Sequence, residues 1–376
     1  MKHLIVYKEE DRYCSFPHAA LLPNGQLGVV FRRASSLSAK AAREGLATHH
    51  DPDSSIELII SEDLGWSWPQ RSATVYKSNY GVNDPSVTVL RSGDVLLRFV
   101  ALEILPVSQS SKISKFHRIF SHRVEHGLVS SVAGNMILRS GDNGRSWSEI
   151  GIANAEGLAR SCSRDPIVEM PDGSLLMAVY NGAPQRSDIS WLIRSFDQGK
   201  TWQEPITIMC DPAGSRSQLQ GINYNETSLL HLGNGELLAM VRGDSSFHTS
   251  GDQFMPVGGV GELYSSRSYD AGLSWEAPRK TGIWGQPGSL LGLSDGAVLC
   301  TYGYRRKPFG VRACLSVDKG RTWLTNEEYV LRDDAPTWDM GYPFSLQLKD
   351  GGLFSVYYFV DNEGVRHIAA THWKLR

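Results

Sequence analysis

One spelling governs this chain. The pattern Ser-x-Asp-x-Gly-x-Ser/Thr-Trp stands at 61–68, 140–147, 195–202, 268–275 and 316–323. Five copies with five fixed places are not accidental. The chemistry suits a hairpin turn. Asp accepts backbone N–H bonds across it, and Gly takes φ > 0. The Ser or Thr hydroxyl adds a local bond, and Trp buries a large ring beside it. A repeated unit of this kind signals repeated architecture before it signals chemistry.

A second series alternates with the first. Apolar runs are broken by turns ending in Gly at Pro23-Asn24-Gly25, Ser92-Gly93, Pro171-Asp172-Gly173, Gly233-Asn234-Gly235, Ser294-Asp295-Gly296 and Lys349-Asp350-Gly351. Each is followed by a strand-like run, such as Leu175–Tyr180 or Leu237–Val241, which is a hairpin signal. Five of the six turns are followed by the eight-residue box; the last is followed by Val360-Asp361-Asn362-Glu363-Gly364. The unit is therefore four strands: a strand, the Gly turn, a second strand, a connection, a third strand, the box and a fourth. Six such units predict an all-β chain, one six-bladed β-propeller of four-stranded antiparallel blades over residues 1–376. The run Ile368–Trp373 alone does not complete the circle, so Leu4–Lys8 are expected to pair with the last unit. From turn Gly to box Ser is 22 residues for Gly173 to Ser195 and 20 for Gly296 to Ser316, but 36, 47 and 33 in units one, two and four. The surplus falls near 35–52, 101–133 and 243–262. These polar segments read as long loops, with room for a short helix within Ser108–His126. The turns and boxes mark one face of the ring; the long loops mark the other, where such scaffolds carry function.

Totals narrow the classes. The 376 residues carry a net charge of −2 with no long basic run, so a nucleic-acid partner is not expected. No apolar run of about 18 residues exists, so no membrane span is expected. Met1–Lys8 holds too short an apolar run for a secretory signal, and a cytoplasmic location is the expectation. The five cysteines are scattered without metal-ligand spacing and read as free thiols. Neither metal nor organic cofactor is implied, and the oligomeric state is left open.

Eight residues before the turns lie Asp84, Arg164, Glu226 and Tyr342, at the start of the inner strands; Ser15 and Phe16 hold the matching region of unit one. The second strands end on Arg33, Arg242 and Arg305, and Asp53 stands eight residues before Ser61. Each has a plain structural reading: Asp84 and Asp165 precede Pro as turn formers, and Arg32 and Arg33 serve as surface charges. Together, at matching heights, they predict a pocket of acids, a phenol and guanidinium groups.

With these residues in place, the chain resembles the sialidase (neuraminidase) superfamily over nearly its whole length. The boxes resemble its Asp-boxes, and the unit count matches its six-bladed propeller. Asn225-Glu226, an apolar strand, a Gly turn and a strand ending at Arg242 resemble its base-bearing segment. Tyr342 ahead of Leu346 and Asp350-Gly351 resembles its tyrosine. Arg33-Ala34-Ser35 and Asp53 match its first strand pair and its acid/base position. Arg305, Arg306 and Arg312 compete for its last arginine. The departure is Ser15-Phe16-Pro17, where the family has Arg-Ile-Pro; Arg164 is a candidate replacement. The resemblance implies retaining hydrolysis of a terminal acidic sugar, sialic acid or a relative. Tyr342 would be the nucleophile, Glu226 its base and Asp53 the acid/base, with Arg33, Arg242, Arg305 and Arg164 around the substrate carboxylate.

Two other readings stay open. A lyase or non-sialic glycosidase would use His18 beside Tyr342. A propeller that binds carbohydrate without turnover would suit the missing Arg. Trp338 and Trp284 are candidates for a sugar platform, and Asp339, just ahead of Tyr342, is a further candidate site residue.

Overall fold

The computed structural model describes every residue except 46–48, 50, 78–80, 107, 110–117, 120–127, 159–160, 182–187, 212–221, 245–246, 251–252, 257–260 and 376. It gives the backbone alone of 104–105, 118–119, 128–131, 181, 247–250 and 253–256. Six four-stranded antiparallel sheets stand around one axis as a six-bladed β-propeller. The innermost strands are Tyr13–Leu21, Val82–Val89, Val168–Glu169, Asn223–Gly233, Gly288–Gly292 and Gly341–Gln347, for blades 1 to 6. Five of the six neighbouring pairs touch around the axis. In blades 1 to 5 the strands run outward in chain order. Blade 6 differs: its outer strand is Lys2–Tyr7, paired with Arg366–Trp373 from His372 to Ile368. The ring is thus closed by the first residues of the chain, as the missing fourth strand of the last unit requires.

Each blade is apolar on both faces because each face meets a neighbour. Six buried clusters result, one between each adjacent pair of blades. The boxes tighten these seams. In the first, Ser61 Oγ donates to Asp63 Oδ1 at 2.7 Å and accepts from Gly65 N at 2.8 Å. Asp63 accepts from the backbone N and hydroxyl of Ser67, and Trp68 Nε1 donates to Gly65 O at 3.2 Å. The pattern repeats at Asp142, Asp197 and Asp270, whose carboxyls the box hydroxyl and amide hold down to about 2. The box glycine has φ near +90° and lies against the preceding blade. A Cβ at Gly65 would sit 2.7 Å from Phe354, and one at Gly144 2.8 Å from Leu58; at Gly272 and Gly320 it would strike Leu192 and Leu238.

The three surplus connections are more regular than the sequence suggests. The first holds a helix, Ser36–Arg43, capped by Ser35, whose Oγ accepts from Ser38 N. In blade 2 the strands Val95–Pro106 and Leu128–Ser140 extend the ladder, with Arg118–Ile119 added to Leu128–Ser140. The third holds a hairpin of Phe247–Ser250 and Gln253–Pro256. Most of Ser108–His126 lies outside the described residues. No described helix is long and apolar enough to cross a membrane.

Candidate active site

Four inner strands break register at the same height: between Ser15 and His18, Asn83 and Ser86, Asn225 and Ser228, and Gly341 and Phe344. The first of the two residues inside each break has a positive φ: Phe16 at 54°, Asp84 at 44°, Glu226 at 42° and Tyr342 at 50°. Bulky L-residues adopt this conformation at a cost, and bulges of this kind re-aim side chains beside functional sites. In blades 3 and 5 the residues just before the corresponding prolines are Asp165 and Gln286, both buried.

Blades 4 and 6 meet through the Tyr342 hydroxyl, which donates to Glu226 Oε1. Arg242 Nη1 donates to Glu226 Oε2 at 2.7 Å. Arg242 Nε lies 2.7 Å from Asp244 Oδ2, an ion pair with the oxygen off the N–H direction. Tyr342, Glu226 and Asp244 are buried, and Arg242 keeps a small exposed fraction. Burial raises the Glu226 carboxyl, but Arg242, the bond from Tyr342 and Arg164 together bring it below its usual value. Burial and then the Glu226 charge push the Tyr342 phenol far above its own. Burial takes Asp244 up to about 6 against the pull of Arg242. A neutral phenol thus faces an ionised carboxylate.

Arg305 lies beside the pair, 5.6 Å from the Tyr342 ring and 5.7 Å from that of Trp338. Its Nη2 donates to Met340 O at 3.2 Å, and among the described residues it meets no carboxylate. Arg164 crosses the axis from blade 3. It donates to Asp165 Oδ1, Gly288 O and Pro343 O at 3.0, 2.8 and 2.8 Å, with its guanidinium 5.4 Å from the Tyr342 ring. Asp339 accepts from Tyr13, Tyr358 and Arg366. His18 packs on Phe344 at 3.6 Å between ring centres. Burial, then Arg164 and Arg98, hold it well below its usual value. Asp84 shares a small cavity with Phe16, His18, Arg164, Asp165 and Tyr342. Burial foremost, then Glu226, push it up to about 7, against Arg98, Arg164 and Arg32.

Two expected members are elsewhere. Asp53 is half exposed and pairs with Lys77 Nζ at 2.7 Å and Arg12 at 3.5 Å. Its neighbour Asp51 is the buried acid of that loop, taken up by Ser35 and Ser38 at the helix start. Arg33 is held by Glu9 through Nε at 2.7 Å and Nη2 at 2.6 Å. Alternation along the strand turns Arg32 inward instead; it is wholly buried and donates to Val82 O at 3.0 Å. Arg306 is exposed and stacks on Trp284 at 3.6 Å, and Arg312 pairs with Glu328. Sequence reasoning missed four groups. Asp244 follows Arg242 at the strand's end. Gln286 was hidden by its Pro. Arg98 lies in a strand centre, where a lone Arg could have flagged it; it binds the carbonyls of Asp84, Ser163 and Asp165. His49 stacks on Phe16, with 5.6 Å between ring centres.

Among the described residues, no group of three or more His, Cys, Asp or Glu is placed to hold a metal. The chemistry available is proton transfer between a phenol and a carboxylate, beside a second carboxyl and the guanidinium of Arg305.

A profile of the BNR repeat-like domain family matches residues 122–356. A search of curated proteins gives no match. Among solved structures, a protein of unknown function from Dyadobacter fermentans is 26% identical, with a TM-score of 0.82 over 100% of this chain and 98% of that one. The NanB sialidase of Streptococcus pneumoniae is 13% identical, with a TM-score of 0.67 over 99% of this chain and 70% of that one. A Penicillium chrysogenum α-L-arabinanase complexed with arabinobiose is 14% identical, with a TM-score of 0.65 over 99% and 98%. The last two likenesses are of fold: this is the propeller on which sialidases and an arabinanase are built. The chain belongs to the BNR repeat-like domain family, whose profile covers more than half of it.

Proposed function

We propose that the protein is a retaining exo-glycoside hydrolase in which Tyr342 attacks the anomeric carbon and Glu226 takes the phenol proton. The observation that carries this reading is the Tyr342–Glu226 hydrogen bond, made by two residues of left-handed backbone from different blades. A phenol titrating far above neutrality is a weak nucleophile, and an ionised carboxylate in contact with it is the activation it needs. Tyrosine nucleophiles are the known exception to the two-carboxylate rule in glycoside hydrolysis. The test is Tyr342→Phe, which keeps the ring packing. Turnover should fall on the order of 10³-fold or more with the fold intact. Undiminished turnover overturns the assignment.

The substrate this reading favours is a terminal sugar with a carboxylate, met by Arg305 with Arg242 beside it. One observation favours a neutral sugar instead: Arg242 already lies between Glu226 and Asp244. An enzyme complexed with arabinobiose has this fold, so the scaffold accommodates a neutral ligand. Asp244→Asn separates the two readings. If Asp244 stands where a substrate carboxylate would, the variant binds 2-deoxy-2,3-dehydro-N-acetylneuraminate at least about tenfold more tightly than the native protein in calorimetry. If the sugar is acidic and Arg242 already serves it, the native protein binds at least as well.

A further inference from the structure

The reaction above needs a proton donor for the leaving group, and Asp53 is exposed and paired with Lys77 and Arg12. Another carboxyl does stand at its level. Asp84, Glu226 and Tyr342 occupy the same bulge, with the same left-handed backbone, on blades 2, 4 and 6. Alternate blades of a six-fold ring place three groups at the corners of a triangle about the axis. Each therefore faces the other two across the hollow. A retaining glycosidase needs this relation: nucleophile and acid must flank the anomeric carbon from opposite sides.

Asp84 is also unusual in its surroundings. It is 9% exposed, and its Oδ1 is buried without a hydrogen-bond partner among the described residues. The other axial acids are engaged: Glu226 by Tyr342 and Arg242, Asp165 by Arg164. A buried carboxyl oxygen without a partner is costly and asks what it is kept for. Facing it are Arg32 and His18 from blade 1, Arg98 from its own blade, Arg164 and Asp165 from blade 3, Glu226 from blade 4 and Tyr342 from blade 6. None neutralises it by contact, and the nearby Glu226 charge opposes its ionisation. The result is a carboxyl that holds its proton up to about neutral pH, the state a general acid requires.

We infer that Asp84, on the inner strand of blade 2, is the general acid and base of this site, in the role that the family resemblance implies for Asp53. The inference rests on the glycoside-hydrolase reading. In the first step the Tyr342 oxygen bonds to the anomeric carbon as the bond to the leaving oxygen breaks. The phenol proton passes to Glu226 and the Asp84 proton to the leaving oxygen. In the second step Asp84 takes a proton from water, whose oxygen bonds to the anomeric carbon. The bond to Tyr342 breaks, and the phenol recovers its proton from Glu226.

The test compares Asp84→Asn and Asp84→Ser with Asp53→Asn on two substrate pairs. One pair is 3′-sialyllactose and 4-methylumbelliferyl N-acetylneuraminide; the other is arabinobiose and 4-nitrophenyl α-L-arabinofuranoside. On the pair that the native protein cleaves, the Asp84 variants should lose about 100-fold or more in kcat/KM with the sugar leaving group. With the aryl leaving group they should lose under about tenfold. The alkaline limb of the kcat/KM profile should vanish, and azide should raise turnover of the aryl substrate. Asp53→Asn should behave as native. Equal losses on both members of a pair, a retained alkaline limb, or the selective loss appearing in Asp53→Asn would each overturn the role of Asp84 while leaving the nucleophile reading intact. If no substrate of either pair is cleaved, or if Tyr342→Phe cleaves like the native protein, the hydrolase reading falls and this inference with it. Thermal melts of both Asp84 variants confirm that the compared proteins are folded.

Discussion

At the residue scale, the site is made by side chains that the backbone holds in unfavourable states. Asp84 gives the clearest consequence. Its folded value of about 7 lies above the ordinary carboxyl value of 3.8. The folded state therefore binds this proton more tightly than the unfolded chain. The stability it contributes is full below the ordinary value and is lost as pH rises through about 7. Asp84→Asn removes that loss. The variant should match the native protein near pH 4 and exceed it at pH 8, by on the order of 2–4 kcal/mol in urea titrations. A native advantage at pH 8 would contradict this. Stability gained by deleting a polar group at the expense of turnover is the trade expected of a functional site. Part of this was legible in the chain. Tyr342 and Glu226 fell where the distance to a Gly turn put them, because strand length fixes height around the axis. Arg33 did not, because a count that is right to one residue still chooses the wrong face of a strand with period two. Asp53 did not, because the helix Ser36–Arg43 recasts the connection and takes Asp51 as its own partner.

At the element scale, the box does its work at the seam between blades. Trp202 is buried in the cluster of blades 2 and 3, and its Nε1 donates to Gly199 O at 3.1 Å. Trp202→Ala should cost about 3–5 kcal/mol in chemical denaturation, with kcat/KM unchanged at a temperature where the variant is folded. Gly272→Ala should also destabilise, since its Cβ strikes Leu192 and its φ is +91°. A variant at either position that melts with the native protein would show that the seam does not depend on the box. The spelling of the box made the blade count legible. The contents of the three long connections stayed hidden, because a polar segment with few apolar residues carries no periodicity to separate a capped turn of helix from an extended hairpin.

At the scale of the whole molecule, closure is the event that the site depends on. Tyr342 belongs to blade 6, and blade 6 has its fourth strand only when Lys2–Tyr7 pairs with Arg366–Trp373. Val6 is buried in the same cluster as Phe16 and Tyr342. Deleting residues 2–7 should lower the melting temperature and reduce activity, although the deleted strand supplies none of the proposed catalytic groups. A peptide of residues 1–8 added in trans should restore part of both by taking the vacant edge. Unchanged activity after deletion would separate the ring's closure from its chemistry.

The same strand pairing sets an order in time. The strand that seals the circle is made well before its partner and waits while more than 350 residues between them are added. Until then the phenol, supplied by the final blade, has no finished wall around it, and a nascent chain carries the acids of the earlier blades without the group they are meant to serve. Any reactivity that depends on all three therefore begins only once the sixth blade has been made.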